Sequence, residues 1–165
     1  MSLSRVLTDQ FKERMTQVHG NMDIDFNIMT LGVQFWPLNV RDTEFNIPAD
    51  ISPLHNRFSE YYRTKHSGRK LTWLWNYSKN ELRTSYLNQK YILMTSSYQM
   101  AVLLQYNDHD TLTLDELVTA TAINKDVLVQ VLVILVAAKL LIKEDKDTYD
   151  LNPSSLFPPS LRSRN

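Results

Sequence analysis

The chain has 165 residues, enough for one ordinary domain or two small ones packed together, and enough to bury a useful core. An apolar share of 43% and a charged share of 22% are those of a soluble globular protein, while 18 Lys and Arg against 18 Asp and Glu exclude a strong field favouring nucleic acid or an anionic membrane. The absence of cysteine excludes disulfides, thiolate metal sites and a Cys nucleophile together.

Residues 1–10 lack the apolar stretch and small-residue cleavage site of a secretory signal. The longest apolar run, residues 131–138, is far shorter than the ~20 residues that a bilayer span requires. An intracellular protein, of cytoplasm and nucleus, is therefore expected.

In chain order, Leu7, Phe11, Met15 and Val18 fall at helical intervals, and Gly20-Asn21 gives a natural stop. This segment, residues 1–20, has the character of the end of a longer helical bundle. Residues 26–31 alternate as a strand, with Phe26, Ile28 and Thr30 on one side and Asn27, Met29 and Leu31 on the other. Apolar residues on both sides predict a strand covered on both faces. Residues 32–50 carry Pro37 directly after Trp36, and then Pro48, and read as a loop with a short extended piece at 44–47.

Ser52 and Pro53 open a helix as cap and first residue, with Leu54, Phe58, Tyr61, Tyr62 and Lys65 following at helical spacing. The clearest strand pattern comes next: Leu71, Trp73, Trp75 and Tyr77 alternate with Lys70, Thr72, Leu74 and Asn76. A turn at 78–81, a returning strand at 82–87, a turn at 88–89 and a third strand at 91–95 complete a predicted β-meander. Residues 21–95 thus read as an α/β subdomain.

From Ser96 the period changes from two to about 3.6. One helix carries Tyr98, Ala101, Val102 and Leu104. A second runs over 113–122, with Thr113 and Glu116 spaced as a capping box, and a third over 125–141 is capped by Asn124. Residues 142–151 read as a hairpin. Three helices followed by a hairpin is the order of a winged helix, placed at 96–152. Residues 153–165 hold too little periodicity to fold alone and are expected to form a disordered tail. The fold class expected is α+β: the end of a helical bundle, a small antiparallel-sheet α/β subdomain, then a winged-helix subdomain.

Chemistry finds little support in these residues. His19, His55, His66 and His109 are scattered, none at metal-ligand spacing with another histidine. The pairs Asp23/Asp25 and Asp108/Asp110 could bind a cation or act as acid and base, but sit where aspartates commonly form turns and caps. Three glycines in no G-x-G arrangement give no phosphate loop, and a G-x-S-x-G nucleophile elbow is missing. No catalytic residue, metal or cofactor is assigned.

The winged-helix order raises DNA binding as an alternative, since such folds place a recognition helix in the major groove. That helix needs Lys, Arg, Asn or Gln toward the groove. Between Asp126 and Lys139 the third helix carries Gln130 as its single polar residue, so the expectation is a helix buried on most sides. Residues 65–70, Lys-His-Ser-Gly-Arg-Lys, are the one clear basic cluster in the foldable part, read either as a solvated turn or as a docking point for an acidic partner. The aromatic row Trp73, Trp75 and Tyr77 reads mainly as core, yet a short meander leaves an edge that a partner strand can pair.

Two stretches carry a family resemblance: residues 66–74, His-Ser-Gly-Arg-Lys-Leu-Thr-Trp-Leu, and residues 95–107, Thr-Ser-Ser-Tyr-Gln-Met-Ala-Val-Leu-Leu-Gln-Tyr-Asn. With Trp36-Pro37, Phe58, Tyr61-Tyr62 and Lys139-Leu-Leu-Ile142 in the same order, the sequence resembles the cullins over residues 7–151. It is most similar to the cullin type that serves F-box ubiquitin ligases. The resemblance implies a non-catalytic scaffold whose α/β sheet accepts a strand from a RING-box protein. That partner in turn recruits a ubiquitin-conjugating enzyme. The expected sheet is 26–31 with 71–95, and the residues expected to contact the partner are Lys70, Leu71, Thr72, Trp73, Leu74, Trp75 and Tyr77. The family's N-terminal helical repeats, its C-terminal helix and its second winged helix, which carries a modified lysine, have no counterpart in this sequence. The expectation is thus the docking core of a scaffold, in a fragment, truncated product or paralogue, with sequestration of RING-box protein as one consequence.

Overall fold

The structure is a computed structural model that describes residues 3–19, 24–32, 45–86 and 89–151. The chain divides into two compact units: Met1–Arg41 with Pro53–Leu71, and Asp42–Ser52 with Thr72–Asn165. Trp36-Pro37, the stop at Gly20-Asn21 and the C-terminal tail lie outside the described residues.

In the first unit, helix α1 spans Leu3–His19 and buries Thr8, Phe11 and Met15 along one face. Helix α2, Ser52–Lys65, begins at the predicted Ser52-Pro53 and buries Phe58, Tyr61 and Tyr62 at three- and four-residue spacing. The aromatic rings form the core here. Phe11 meets Phe58 at 5.2 Å and Phe26 at 5.4 Å, both edge-to-face. Such pairs are each worth about 0.5–1.5 kcal/mol beyond the area they bury.

Among the described residues, 24–32 belong to no helix or sheet; after a bend at Ile24, burial alternates over 26–30 with the period of an extended chain. Nor are they covered on both faces. Phe26, Ile28 and Thr30 are half-buried, whereas Asn27 and Met29 are exposed, Met29 at 76%.

The second unit starts with a hairpin, β1 (Lys79–Tyr86) paired antiparallel with β2 (Gln89–Ser96), with Leu82 opposite Leu93 and Glu81 opposite Met94. Leu82 and Leu93 pack on the core while Ile92 and Met94 face outward. The turn expected at 78–81 is mostly strand. Lys79 and Glu81 lie on its exposed side, while half-buried Asn80 donates to the Ser97 hydroxyl at 3.2 Å.

The expected first strand of the meander does not form, whereas the third, 91–95, does as part of β2. Among the described residues, 70–74 carry no strand pairing, and Trp75–Tyr77 is a 3-10 turn. The backbone bonds locally instead: the Tyr77 amide donates to the Leu74 carbonyl at 3.1 Å and the Ser78 amide to the Trp75 carbonyl at 3.1 Å. Trp75 packs on Phe45 at 5.5 Å and stacks with Trp73 at 5.5 Å and 15°, so the rings bury against each other and not on a sheet face.

The remainder follows the predicted order closely. Helix α3 (Ser97–Gln105), strand β3 (Thr111–Thr113), helix α4 (Leu114–Thr121), helix α5 (Lys125–Ala137) and the hairpin β4 (Leu141–Asp145) and β5 (Thr148–Leu151) give a winged helix whose sheet order is β3-β5-β4. Its core is Val102, Leu103, Tyr106, Leu117, Leu128, Leu132, Leu135 and Leu141, all buried. Residues 45–46 join it, with the Asn46 amide donating to the Thr121 carbonyl at 2.7 Å and Phe45 packed against the core. The capping box expected at Thr113 and Glu116 forms, and the structure adds a second one not expected from the sequence. Ser96 with Gln99 caps α3, and Thr113 with Glu116 caps α4.

Candidate partner-docking edge

The extended segment 24–32 is held by a helix where a sheet strand would normally lie. On α1, Ser4 and Thr8 are one helical turn apart and so share a face. The Ser4 hydroxyl donates to the Thr30 carbonyl at 2.9 Å and accepts from the Thr30 amide at 3.0 Å. The Thr8 hydroxyl donates to the Ile28 carbonyl at 3.1 Å and accepts from the Ile28 amide at 3.3 Å; its proton is shared with the Ser4 carbonyl at 3.0 Å. One turn further on, Lys12 bonds the Asp25 carboxylate and reaches the Asn27 side chain at 3.4 Å.

An extended backbone presents alternate residues to opposite edges. With Ile28 and Thr30 turned to α1, the backbone of Asn27, Met29 and Leu31 faces the other way. Among the described residues, nothing hydrogen-bonds to the backbone amides or carbonyls of these three. An edge of this kind, exposed and unpaired, is what a partner strand adds to. Sequence alternation marked the segment as a strand but could not say which edge stays open. The i, i+4 hydroxyl pair was the missed signal.

The residues first expected to contact a partner are not gathered into a strand. Lys70 and Leu71 fall in the first unit, and Thr72, Trp73, Leu74, Trp75 and Tyr77 in the second. Tyr77 is 52% exposed, while Trp73, Leu74 and Trp75 are half-buried. The basic cluster 65–70 is the turn that closes α2: the His66 amide donates to the Tyr62 carbonyl at 2.9 Å, and Gly68 has φ +82°, a conformation glycine adopts without strain. Lys65, Arg69 and Lys70 are exposed there.

Helix α5 differs from expectation on one point. It buries Leu128, Val131, Leu132 and Leu135, but its other face is open, with Val133 63% and Ile134 53% exposed. That face carries no cation between Lys125 and Lys139, and Lys125 itself pairs with Asp115 at 3.3 Å. Between Asp126 and Lys139, exposed Gln130 is the single polar side chain, so phosphate contacts on that face lack a cation. Among the described residues no three His, Asp or Glu side chains gather to hold a metal ion, and no single helix is long and apolar enough to cross a membrane.

A family model described as the cullin alpha+beta domain matches residues 30–159. The chain belongs to the cullin family. It is similar to Cullin-1 of Dictyostelium discoideum, at 40% identity over 148 residues, which are 87% of this chain and 19% of that protein. Cullin-1 of Schizosaccharomyces pombe is 38% identical over 160 residues, 95% of this chain and 20% of that protein. Cell division control protein 53 of Saccharomyces cerevisiae is 31% identical over 127 residues, 73% of this chain and 16% of that protein. The chain thus spans about a fifth of the length of the curated relatives it matches. In this cullin chain, both stretches that carry the resemblance, 66–74 and 95–107, lie inside the matched region, whereas Ser4, Thr8 and Ile28 precede it.

Proposed function

We propose that the chain is a non-catalytic scaffold segment of a cullin-RING ubiquitin ligase, and that it docks a RING-box protein by strand addition. The observation that carries this reading is the extended segment 24–32, satisfied on one edge by α1 and open on the other at Asn27, Met29 and Leu31. Family membership supplies the class of partner. The open edge supplies the kind of contact, since backbone hydrogen bonds give a strand-adding partner its affinity and alternate side chains give it specificity.

In this reading the chain contributes geometry and supplies no reacting group. The RING-box partner recruits a ubiquitin-conjugating enzyme, and the product is ubiquitinated protein in cytoplasm and nucleus. Lys70, Leu71, Thr72, Trp73, Leu74, Trp75 and Tyr77 stay in the proposal as further contact residues, Trp75 and Tyr77 from within the 3-10 turn. The segments 1–20, 21–95 and 96–152 remain the proposed bundle end, α/β subdomain and winged helix.

The test is co-expression with a RING-box protein. A soluble one-to-one complex is expected, with the amides of Asn27, Met29 and Leu31 becoming protected from hydrogen exchange on binding. A chain that leaves RING-box protein free, or that binds it with those three amides unchanged, overturns the proposal.

A further inference from the structure

We propose that Ser4 and Thr8 act together as a stand-in for a sheet neighbour, a hydroxyl ladder on α1 that fixes residues 28 and 30 in strand geometry and directs an incoming strand to the opposite edge. The inference rests on the docking reading above and adds the residues that prepare the edge and choose its side.

The geometry is matched by arithmetic. Residues four apart on a helix are separated by about 6 Å along its axis. Residues two apart on a strand are separated by about 6.6 Å. A helix stripe at i and i+4 can therefore keep step with a strand at j and j−2 over two rungs, and Ser4 with Thr30 and Thr8 with Ile28 are those rungs. The next position on the stripe, Lys12, has no hydroxyl and only donates, and it binds the side chains of Asp25 and Asn27 instead.

The chemistry also needs hydroxyls. A single Ser or Thr oxygen donates one hydrogen bond and accepts others, so it can answer both the N–H and the C=O of one residue, as a neighbouring strand would. No aliphatic side chain can do this, and lysine or carboxylate can do only half. Thr8 is buried, so its bonds form away from competing water, where an unmet backbone group is costly.

Two consequences bear on docking. An extended segment already ordered loses less conformational freedom when a partner arrives, which raises affinity without adding a contact. An edge already satisfied by hydroxyls cannot accept a strand, so addition is confined to Asn27, Met29 and Leu31. Ser4 and Thr8 are positioning residues in this scheme, acting on the partner only through the segment they hold.

The experiment uses the full chain with Ser4→Ala and Thr8→Val combined, and Thr8→Ser as the conservative control. In the free chain, the Ile28 and Thr30 amides are expected to exchange at least about tenfold faster in the double variant, while α2 and β5 amides keep their protection. Binding to a RING-box protein is expected to weaken at least about tenfold, and Thr8→Ser to stay within about threefold of the parent. Failure of the parent chain to bind RING-box protein overturns the docking reading but leaves the exchange result to decide the ladder. Parental binding matched by the double variant, or unchanged exchange at Ile28 and Thr30, overturns the ladder itself. If α2 amides lose protection as well, Ser4→Ala alone decides, because Ser4 is only half-buried: faster exchange at Thr30 with α2 intact supports the ladder, and unchanged exchange overturns it.

Discussion

The Tyr106 hydroxyl donates a 2.9 Å hydrogen bond to the carbonyl of Tyr149, tying the end of α3 to β5 across 43 residues of sequence. Tyr106 is fully buried, so this bond forms in the core of the winged helix. Tyr106→Phe keeps the ring and removes the donor. A loss of about 1–3 kcal/mol is expected in urea unfolding, the cost of an unmet buried acceptor.

The same burial, with the charges of Asp150 and Tyr149 adding to it, pushes the Tyr106 phenol far above its ordinary range. A raised folded value favours the neutral form. Its stabilising contribution is therefore complete below the ordinary phenol value of about 10 and lost as pH rises through the folded value. In an alkaline ultraviolet titration, Tyr106 should ionise only together with unfolding. That late step should be missing in Tyr106→Phe.

Acid acts instead on the start of α4. Hydrogen bonds from the Thr113 backbone and hydroxyl hold the Glu116 carboxyl below the usual carboxylate range. A lowered folded value means that the capping box stabilises α4 above the ordinary glutamate range and fades as pH falls through the folded value. Glu116→Gln should flatten this acid-side slope in urea unfolding measured across pH. An unchanged slope would show that the carboxylate is not what the pH acts on.

Helix α4 ends on Ala122 at φ 53°, ψ 20°, in the left-handed region. An L-residue there costs roughly 1–2 kcal/mol, while glycine adds about 0.5–1 kcal/mol of unfolded-state freedom. Ala122→Gly is thus expected to stabilise the chain by up to about 1 kcal/mol, read as a higher thermal midpoint. A lower midpoint would mean that the Ala122 methyl packs more than its partial exposure implies.

The open face of α5 makes a different prediction. Val133→Gln and Ile134→Lys should change unfolding free energy by no more than about 0.5 kcal/mol, as exposed sites do. They should also reduce self-association in sedimentation, because adjacent exposed apolar side chains favour it. A loss of 2 kcal/mol or more would show the two side chains to be buried.

The winged helix was legible because its signals are local. Thr113-x-x-Glu116 and Asn124 mark helix starts, and buried residues recur at helical spacing within each helix, at 114, 117 and 121 and at 128, 131, 132 and 135. Residues 70–77 were misread for a reason equally physical. Aromatics at i and i+2 satisfy a strand pattern, but Trp73 and Trp75 meet the same spacing by stacking on each other above Phe45, with a 3-10 turn closing the segment. The α5 face was misjudged because an all-apolar helix states what it could bury and not what is present to cover it.

By itself the sequence determined the helices, their caps, the hairpins and the cullin resemblance, since each depends on residues close together in the chain or on their order. The tertiary structure alone decided which edge of residues 24–32 is held by α1. A hydroxyl at residue 4 and an amide at residue 30 carry no mark of each other in the sequence, and only the packing of α1 against the extended segment brings them to 3.0 Å. That contact turns Ile28 and Thr30 toward α1 and leaves the backbone of Asn27, Met29 and Leu31 unpaired among the described residues.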